Sequence, residues 1–242
     1  MINISYFSLE FSSGNETKNN LAVFPFIIDS SHIDDISCVI SLCGNPGLDQ
    51  KRIAFLKQIH SREVLEVESN NLHHGWEADG LITRDRSVYL SVNVGDCLPV
   101  YLYDSDSRGF GLLHSGWKGT GIAANAINLM KEKWGTRPEA IAAVLGPCIR
   151  SCCYRVDEER ARAFEAEFGG NELPLGPVTI KKEDGYYLDM QAANAGLLVK
   201  AGVRNIAVCE NCTFTDIRLG SFRREGNDYT RMTALLGFEL AH

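Results

Sequence analysis

The chain has 242 residues, 45% of them hydrophobic, which is enough to bury a core over most of its length. Its 31 acidic and 24 basic residues leave a net charge of −7, which argues against nucleic-acid or membrane-surface binding through a positive field. Small anions stay open as ligands, because a few local arginines can hold a phosphate in an acidic protein.

In chain order, residues 1–11 lack a basic stretch leading into an apolar run and do not read as an export signal. Strands are expected at 63–68, 87–94, 99–103 and 110–114, which are short, rich in β-branched or aromatic residues and divided by turn-formers. Residues 120–134 carry apolar side chains at helical spacing behind the glycine-rich turn from Gly116 to Gly121, and predict a helix. A buried strand is expected at 140–145, ending at Gly146-Pro147. A helix over 157–168 has an acidic first turn, which suits the helix dipole. The glycines and prolines of 169–177 predict a loop. A helix over 189–200 stops near Gly202, and strands at 205–209 and 232–239 close the chain. No segment approaches the roughly 18 consecutive apolar residues of a membrane span. Strands and helices interleave without a regular βαβ rhythm. That predicts an α+β fold of layered mixed sheets flanked by helices, as a single domain over 1–242.

The eight cysteines are Cys38, Cys43, Cys97, Cys148, Cys152, Cys153, Cys209 and Cys212. Without an export signal, free thiols or metal ligands are expected rather than disulfides. Composition and cysteine usage together predict a cytoplasmic globular enzyme.

Three segments carry candidate chemistry: Gln58-Ile59-His60-Ser61, Gly95-Asp96-Cys97-Leu98-Pro99, and His114-Ser115-Gly116-Trp117-Lys118-Gly119. Each presents one imidazole or thiol at an inferred strand end or in the turn after it, where functional groups are most often displayed. One thiolate and two imidazoles make a borderline-soft donor set that suits Zn²⁺, and three protein ligands leave a fourth position for water or substrate. The spacing by itself leaves open that His60, Cys97 and His114 are three separately packed residues.

The same three segments, in this order, resemble the signature of the laccase-domain family of polyphenol oxidoreductases, whose members are also described as purine nucleoside phosphorylases and peptidoglycan editing factors. The resemblance extends through Ala78-Asp79-Gly80 with Ile82-Thr83, Gly146-Pro147-Cys148-Ile149 with Cys153-Tyr154-Arg155-Val156, and Leu188-Asp189 with Asn194. It ends with Cys212-Thr213, Ser221 to Gly226 and Arg231-Met232, so that it covers roughly 58–240. The family's N-terminal glycine-rich segment has no counterpart in 1–50. Gly95 stands where an alanine is usual, and Lys118 where an arginine is usual.

The resemblance implies a putative-cysteine-hydrolase-like fold and a metal site of His60, Cys97 and His114, with zinc as the ion and copper as a substitute. It implies phosphorolysis of adenosine, inosine, guanosine and methylthioadenosine to base and ribose 1-phosphate, with adenosine deamination besides. Small molecules, nucleoside and phosphate, are then the partners. Two other readings stand beside it: a zinc hydrolase that removes mis-incorporated amino acids from cell-wall precursors, and a non-catalytic zinc-stabilised interaction module. A laccase activity is not expected, because several coppers need many imidazoles and the chain has six histidines with no His-x-His pair.

Around the three ligands, Asp96 is expected to orient a metal ligand or bound water, or else to be an ordinary turn aspartate. Arg223, Arg224 and Arg231 are candidates for binding phosphate through bidentate hydrogen bonds, against the reading of a solvated basic turn. Lys118, before the helix over 120–134, is a further candidate for the anion. Cys209-x-x-Cys212 follows a strand and has no matching second pair, so reduced structural thiols are expected there. His73-His74 is expected to be a loop pair.

Overall fold

The computed structural model describes residues 1–11, 21–28, 31–42, 47–72, 74–170 and 173–240. The chain begins with β1 (Asn3–Phe7), β2 (Leu21–Ile28) and β3 (Ser31–Ser41), then β4 (Ile53–Ala54), β5 (Val64–Glu66) and β6 (Gly80–Thr83). It continues through β7 (Tyr89–Val94), β8 (Leu98–Asp104), β9 (Phe110–Ser115), α1 (Ile122–Trp134), β10 (Ile141–Leu145) and β11 (Arg155–Val156). Next come α2 (Glu158–Phe168), β12 (Thr179–Lys182), β13 (Gly185–Leu188) and α3 (Met190–Ala201). The closing elements are β14 (Asn205–Cys209), the short α4 (Phe222–Glu225) and β15 (Met232–Phe238).

The strands assemble into a seven-stranded sheet ordered β1-β14-β10-β8-β9-β6-β5, a five-stranded sheet ordered β2-β3-β15-β7-β4, and a three-stranded sheet ordered β11-β13-β12. Mixed pairing runs through the large sheet: β1 and β10 lie parallel to β14, while β8 lies antiparallel to β10 and β9. The α+β expectation of layered mixed sheets with helices therefore holds.

Alternation along the central strands separates two cores. Leu98, Val100 and Leu102 of β8 pack with Ile122, Ala126 and Met130 of α1 and with Leu198 of α3. Tyr101 and Tyr103 of the same strand point the other way, toward Phe24, Ile40, Leu90 and Leu236 of the five-stranded sheet. A strand covered on both faces has no polar side to show, which is why β8 is buried along its whole length. The fully buried Tyr101 hydroxyl donates to the Val39 carbonyl at 3.1 Å across the layers. Its ring meets Phe24 edge-on at 5.3 Å. An unpaired hydroxyl at this depth would cost about 1–3 kcal/mol.

Local signals account for the helix ends. Asp157 and Asp189 lie just outside α2 and α3 as N-caps, accepting from the Arg160 and Ala192 amides at 2.8 Å each. Gly202 ends α3 in the left-handed region at φ 108°. The helix expected from residue 120 begins two residues later, because Gly121 takes φ 109° and caps α1 from a conformation no helix continues. The expected strands at 63–68, 87–94 and 140–145 are shortened at one or both ends, and that at 99–103 is longer by one residue at each end. Within the loop expected at 169–177, residues 171–172 lie outside the described residues, and the rest is irregular.

Connections between the two large sheets carry most of the residues singled out in the sequence. The chain crosses from the five-stranded to the seven-stranded sheet between β4 and β5, and again between β7 and β8. It crosses back between β14 and β15. His60 lies on the first of these crossings, Cys97 on the second, and Arg223 and Arg231 on the third. No helix among the described residues is long and apolar enough to cross a membrane.

Candidate metal centre

Strand register delivers two of the three donors. β8 pairs antiparallel with β9 so that Leu98 faces Ser115 and Pro99 faces His114, which sets Cys97 beside the end of β9. The third donor comes from the irregular segment after β4. Gln58 ties this segment to β7: its amide donates to the Asn93 carbonyl at 2.9 Å and accepts from the Asn93 amide at 2.7 Å. The Gln58 side chain thus imitates a paired strand, and it anchors His60 to the strand that leads into Cys97. The ligand atoms of His60, Cys97 and His114 all lie within 4.8 Å of one another. The two imidazole rings meet edge-on, with centroids 4.9 Å apart.

Asp79, just before β6, organises this cluster. It is fully buried, and its Oδ1 accepts from His114 Nδ1 at 2.8 Å and from the His60 amide at 3.0 Å. Its Oδ2 accepts from the Ser61 amide at 2.6 Å, the Ser61 hydroxyl at 2.8 Å and the Ile59 amide at 3.2 Å. The bond at Nδ1 leaves His114 Nε2 as its free donor atom. The bonds to residues 59–61 hold His60 at φ 60°, a left-handed conformation that costs a non-glycine residue about 1 kcal/mol or more. One carboxylate therefore orients two of the three candidate ligands, an arrangement common behind metal-bound histidines.

The electrostatics follow from these contacts. Burial works against the Asp79 carboxylate, yet the bonds from His114 and Ser61 outweigh it and hold its pKa at about 2. Burial also disfavours a charged His114, but Asp79 and Cys97 raise its pKa to about 9. For Cys97, burial pushes the thiol up, while the two imidazoles pull it down to about 7. The Cys97 thiolate is thus accessible near neutrality, as a metal ligand requires. A borderline-soft N₂S set on one side of a cleft fits a metal ion with an open coordination position. Gly116 is part of that fit, since a Cβ there would lie 3.0 Å from Cys97 Sγ and 3.2 Å from the His60 ring.

The donors open onto a cleft of about 790 Å³, within the size range of small-molecule sites. Aromatic side chains line it, Trp117, Tyr154, Phe222 and Tyr229, together with Lys57 and the arginines Arg160, Arg223 and Arg231. Arg160 lies 4.6 Å over the Trp117 ring and Arg223 5.4 Å over Tyr154. One terminal nitrogen of Arg223 already donates to the Arg155 carbonyl at 2.8 Å.

The other sequence candidates stand elsewhere. Asp96 borders the cleft, but its carboxylate accepts from Thr213 Oγ1 at 2.6 Å, Ser221 Oγ at 2.7 Å and the Arg223 amide at 2.6 Å. It fastens the closing segment to the cysteine turn, while the contacts with His60 and His114 are made by Asp79. Arg224 turns away from the cleft. Its guanidinium donates to the carbonyls of Thr213, Phe214 and Leu219 and pairs with Glu225, folding the same segment from within. Lys118 is exposed and lies 5.6 Å over Trp117, outside the cleft lining. Two residues went unremarked in the sequence as functional groups. Asp79 stood only inside a motif. Arg160 carries a signal of its own, a cation in the first turn of a helix, where the dipole favours acids.

Cys209 and Cys212 do not face each other as a pair: Cys209 donates to Asn211 Oδ1 at 3.5 Å, whereas Cys212 turns toward Cys152 and Cys153. His73 lies outside the described residues. The Nε2 atom of His74 meets the Ile53 carbonyl at 2.8 Å, and its ring stacks on Phe55 at 4.4 Å.

Residues 37–239 match the model of the family described as multi-copper polyphenol oxidoreductase laccase. A purine nucleoside phosphorylase of Deinococcus radiodurans is 34% identical over 193 residues, covering 79% of this chain and 72% of its own. Adenosine deaminase RL5, from an unknown prokaryotic organism, is 35% identical over 187 residues, covering 72% of this chain and 70% of its own. The crystal structure of YlmD from Geobacillus stearothermophilus superposes with a TM-score of 0.71 at 30% identity, over 78% of this chain and 74% of that one. The match begins within β3, some twenty residues before the first motif read from the sequence.

Proposed function

Because the chain belongs to the multi-copper polyphenol oxidoreductase laccase family, we propose that it is a zinc-dependent purine nucleoside phosphorylase that also deaminates adenosine. The observation that carries this reading is the convergence of His60, Cys97 and His114 beside a cleft that also holds aromatic rings and three arginines. Relatives named for both activities, at 34% and 35% identity, support it.

In phosphorolysis a phosphate oxygen bonds to C1′ of the ribose while the bond from C1′ to the purine breaks, and the base leaves with the electron pair. Arg160, Arg223 and Arg231 would hold the phosphate, since guanidinium groups bind its oxygens through parallel hydrogen bonds. Trp117, Tyr154 and Tyr229 offer ring faces on which a purine can stack. His60, Cys97 and His114 would hold the zinc ion. When bound, zinc supplies a Lewis acid beside the reacting centre and lowers the pKa of water there. Deamination in the same cleft replaces the 6-amino group of adenosine by a water oxygen and releases ammonia. Copper would enter the same donor set in vitro, since it binds nitrogen and sulfur ligands more tightly than zinc.

The test is to strip the purified protein of metal, reload it with zinc, and incubate it with inosine or adenosine, with and without phosphate. Phosphate-dependent release of base and ribose 1-phosphate is expected, together with inosine from adenosine. A zinc-loaded protein that leaves nucleosides intact but cleaves a muramyl-serine precursor would transfer the site to the cell-wall hydrolase. Inactivity on both would favour a zinc-stabilised binding module.

A further inference from the structure

Away from the nucleoside cleft lining, three further thiols converge. The sulfur atoms of Cys152, Cys153 and Cys212 all lie within 4.8 Å of one another, and those of Cys152 and Cys153 are 3.3 Å apart. They come from two distant stretches that an isolated bridge between Cys148 and Cys212 brings side by side. In a trigonal site with metal–sulfur bonds of about 2.3 Å, sulfurs stand about 4 Å apart. The trio therefore needs little rearrangement to close around one ion.

Backbone amides and a lysine surround the three sulfurs. The Arg150 amide donates to Cys212 Sγ at 3.4 Å, and the Phe214 and Thr215 amides are directed at the same sulfur. Against its burial, these bonds lower the Cys212 pKa, whereas burial and the neighbouring thiols push Cys152 up to about 12 and raise Cys153. Lys182 stands over the turn, donating to the Ser151 and Cys152 carbonyls at 3.2 and 3.3 Å, and offsets negative charge. Cys152 is exposed and Cys153 half-buried, so an ion can enter from solvent. Among the described residues this group contains three ligands and no carboxylate or imidazole. An all-thiolate set selects soft ions, and three sulfurs saturate monovalent copper, whereas zinc here would need a fourth ligand from solvent.

We propose that Cys152, Cys153 and Cys212 form a second metal site, separate from the His60–Cys97–His114 centre, that binds one monovalent copper ion. No electron transfer is implied, because the ion enters and stays as Cu(I). Bound there, it clamps the 148–154 segment, which supplies Ile149 and Tyr154 to the cleft, to the start of the closing segment that supplies Arg223. The site is independent of the nucleoside reading, since none of its ligands lines the cleft.

The experiment counts copper on reduced protein under anaerobic conditions, with Cu(I) supplied from a coloured bathocuproine complex. Wild type should take up one equivalent more than Cys152→Ser or Cys152→Ser/Cys153→Ser, both altered at accessible positions. Loading should also shield Cys152 and Cys153 from alkylation in wild type. Equal copper uptake by wild type and by a variant that still melts cooperatively would overturn the proposal. So would full alkylation of Cys152 and Cys153 in copper-loaded wild type.

Discussion

Replacing Asp79 by Asn removes one negative charge from a fully buried position while keeping the side chain's shape. In the native protein this carboxylate accepts from His114, from the amides of residues 59–61 and from the Ser61 hydroxyl. Its pKa of about 2, against 3.8 when unperturbed, corresponds to about 2 kcal/mol of stability. A depressed carboxylate contributes that stability above pH 4 and loses it as the pH falls through about 2, so at neutral pH the whole amount is at stake. The carboxamide also turns an NH₂ group toward donors that need an acceptor, which raises the expected loss to about 2–4 kcal/mol. For a chain of this length that lowers the melting temperature by about 5–15 °C. Freed from its partner, His114 loses the fixed orientation that presents Nε2, and zinc affinity should fall about 10- to 100-fold. Thermal melts of the metal-free protein and zinc competition against a chromogenic chelator measure both effects. A variant that melts within 2 °C of wild type and holds zinc equally well would refute the role assigned to Asp79.

Four further outcomes are expected. Zinc affinity should climb about tenfold per pH unit between pH 7 and 9, and more steeply below 7, because binding displaces the proton that His114 holds up to about 9 and, lower down, that of Cys97. The charged His114 stabilises the metal-free fold fully below pH 6.5, and that contribution disappears as the pH rises through about 9; flat affinity and stability profiles would contradict this. Asp96→Asn should keep wild-type zinc affinity yet raise KM several-fold, since its bonds hold the Thr213–Arg223 segment rather than the ligands; a loss of zinc would return it to the metal centre. Arg223→Ala should raise KM for phosphate at least tenfold with little change in melting temperature. Arg224→Ala should instead destabilise the protein by about 2–4 kcal/mol, because it strands several carbonyls; equal effects of the two would refute the division. Gly116→Ala should weaken zinc binding at least tenfold while the fold persists, since its Cβ would press on Cys97 and His60, and unchanged zinc affinity would count against a tight fit.

The sequence by itself determined the elements whose signals are local. The α2 helix announces itself by its acidic first turn, α3 by the glycine that stops it, and β14 by its apolar run. It also offered His60, Cys97 and His114 as candidates, each in a turn or at a strand end, and the family resemblance of their segments joined them into one expected site. The strands β1, β2 and β3, and the small sheet of β11, β12 and β13, were not read from it, although Asp184-Gly185 between two short β-prone runs is a hairpin signal. What only the tertiary structure decided is non-local. Strand register and the crossings between the two sheets bring Asp79 under both histidines, Arg160 to the cleft, and Cys212 to Cys152 and Cys153. Arg223 and Arg224 are neighbours of one chemical type with opposite tasks. Sequence cannot separate them, because the difference is which of the two guanidinium groups the folded segment turns inward to satisfy its own carbonyls.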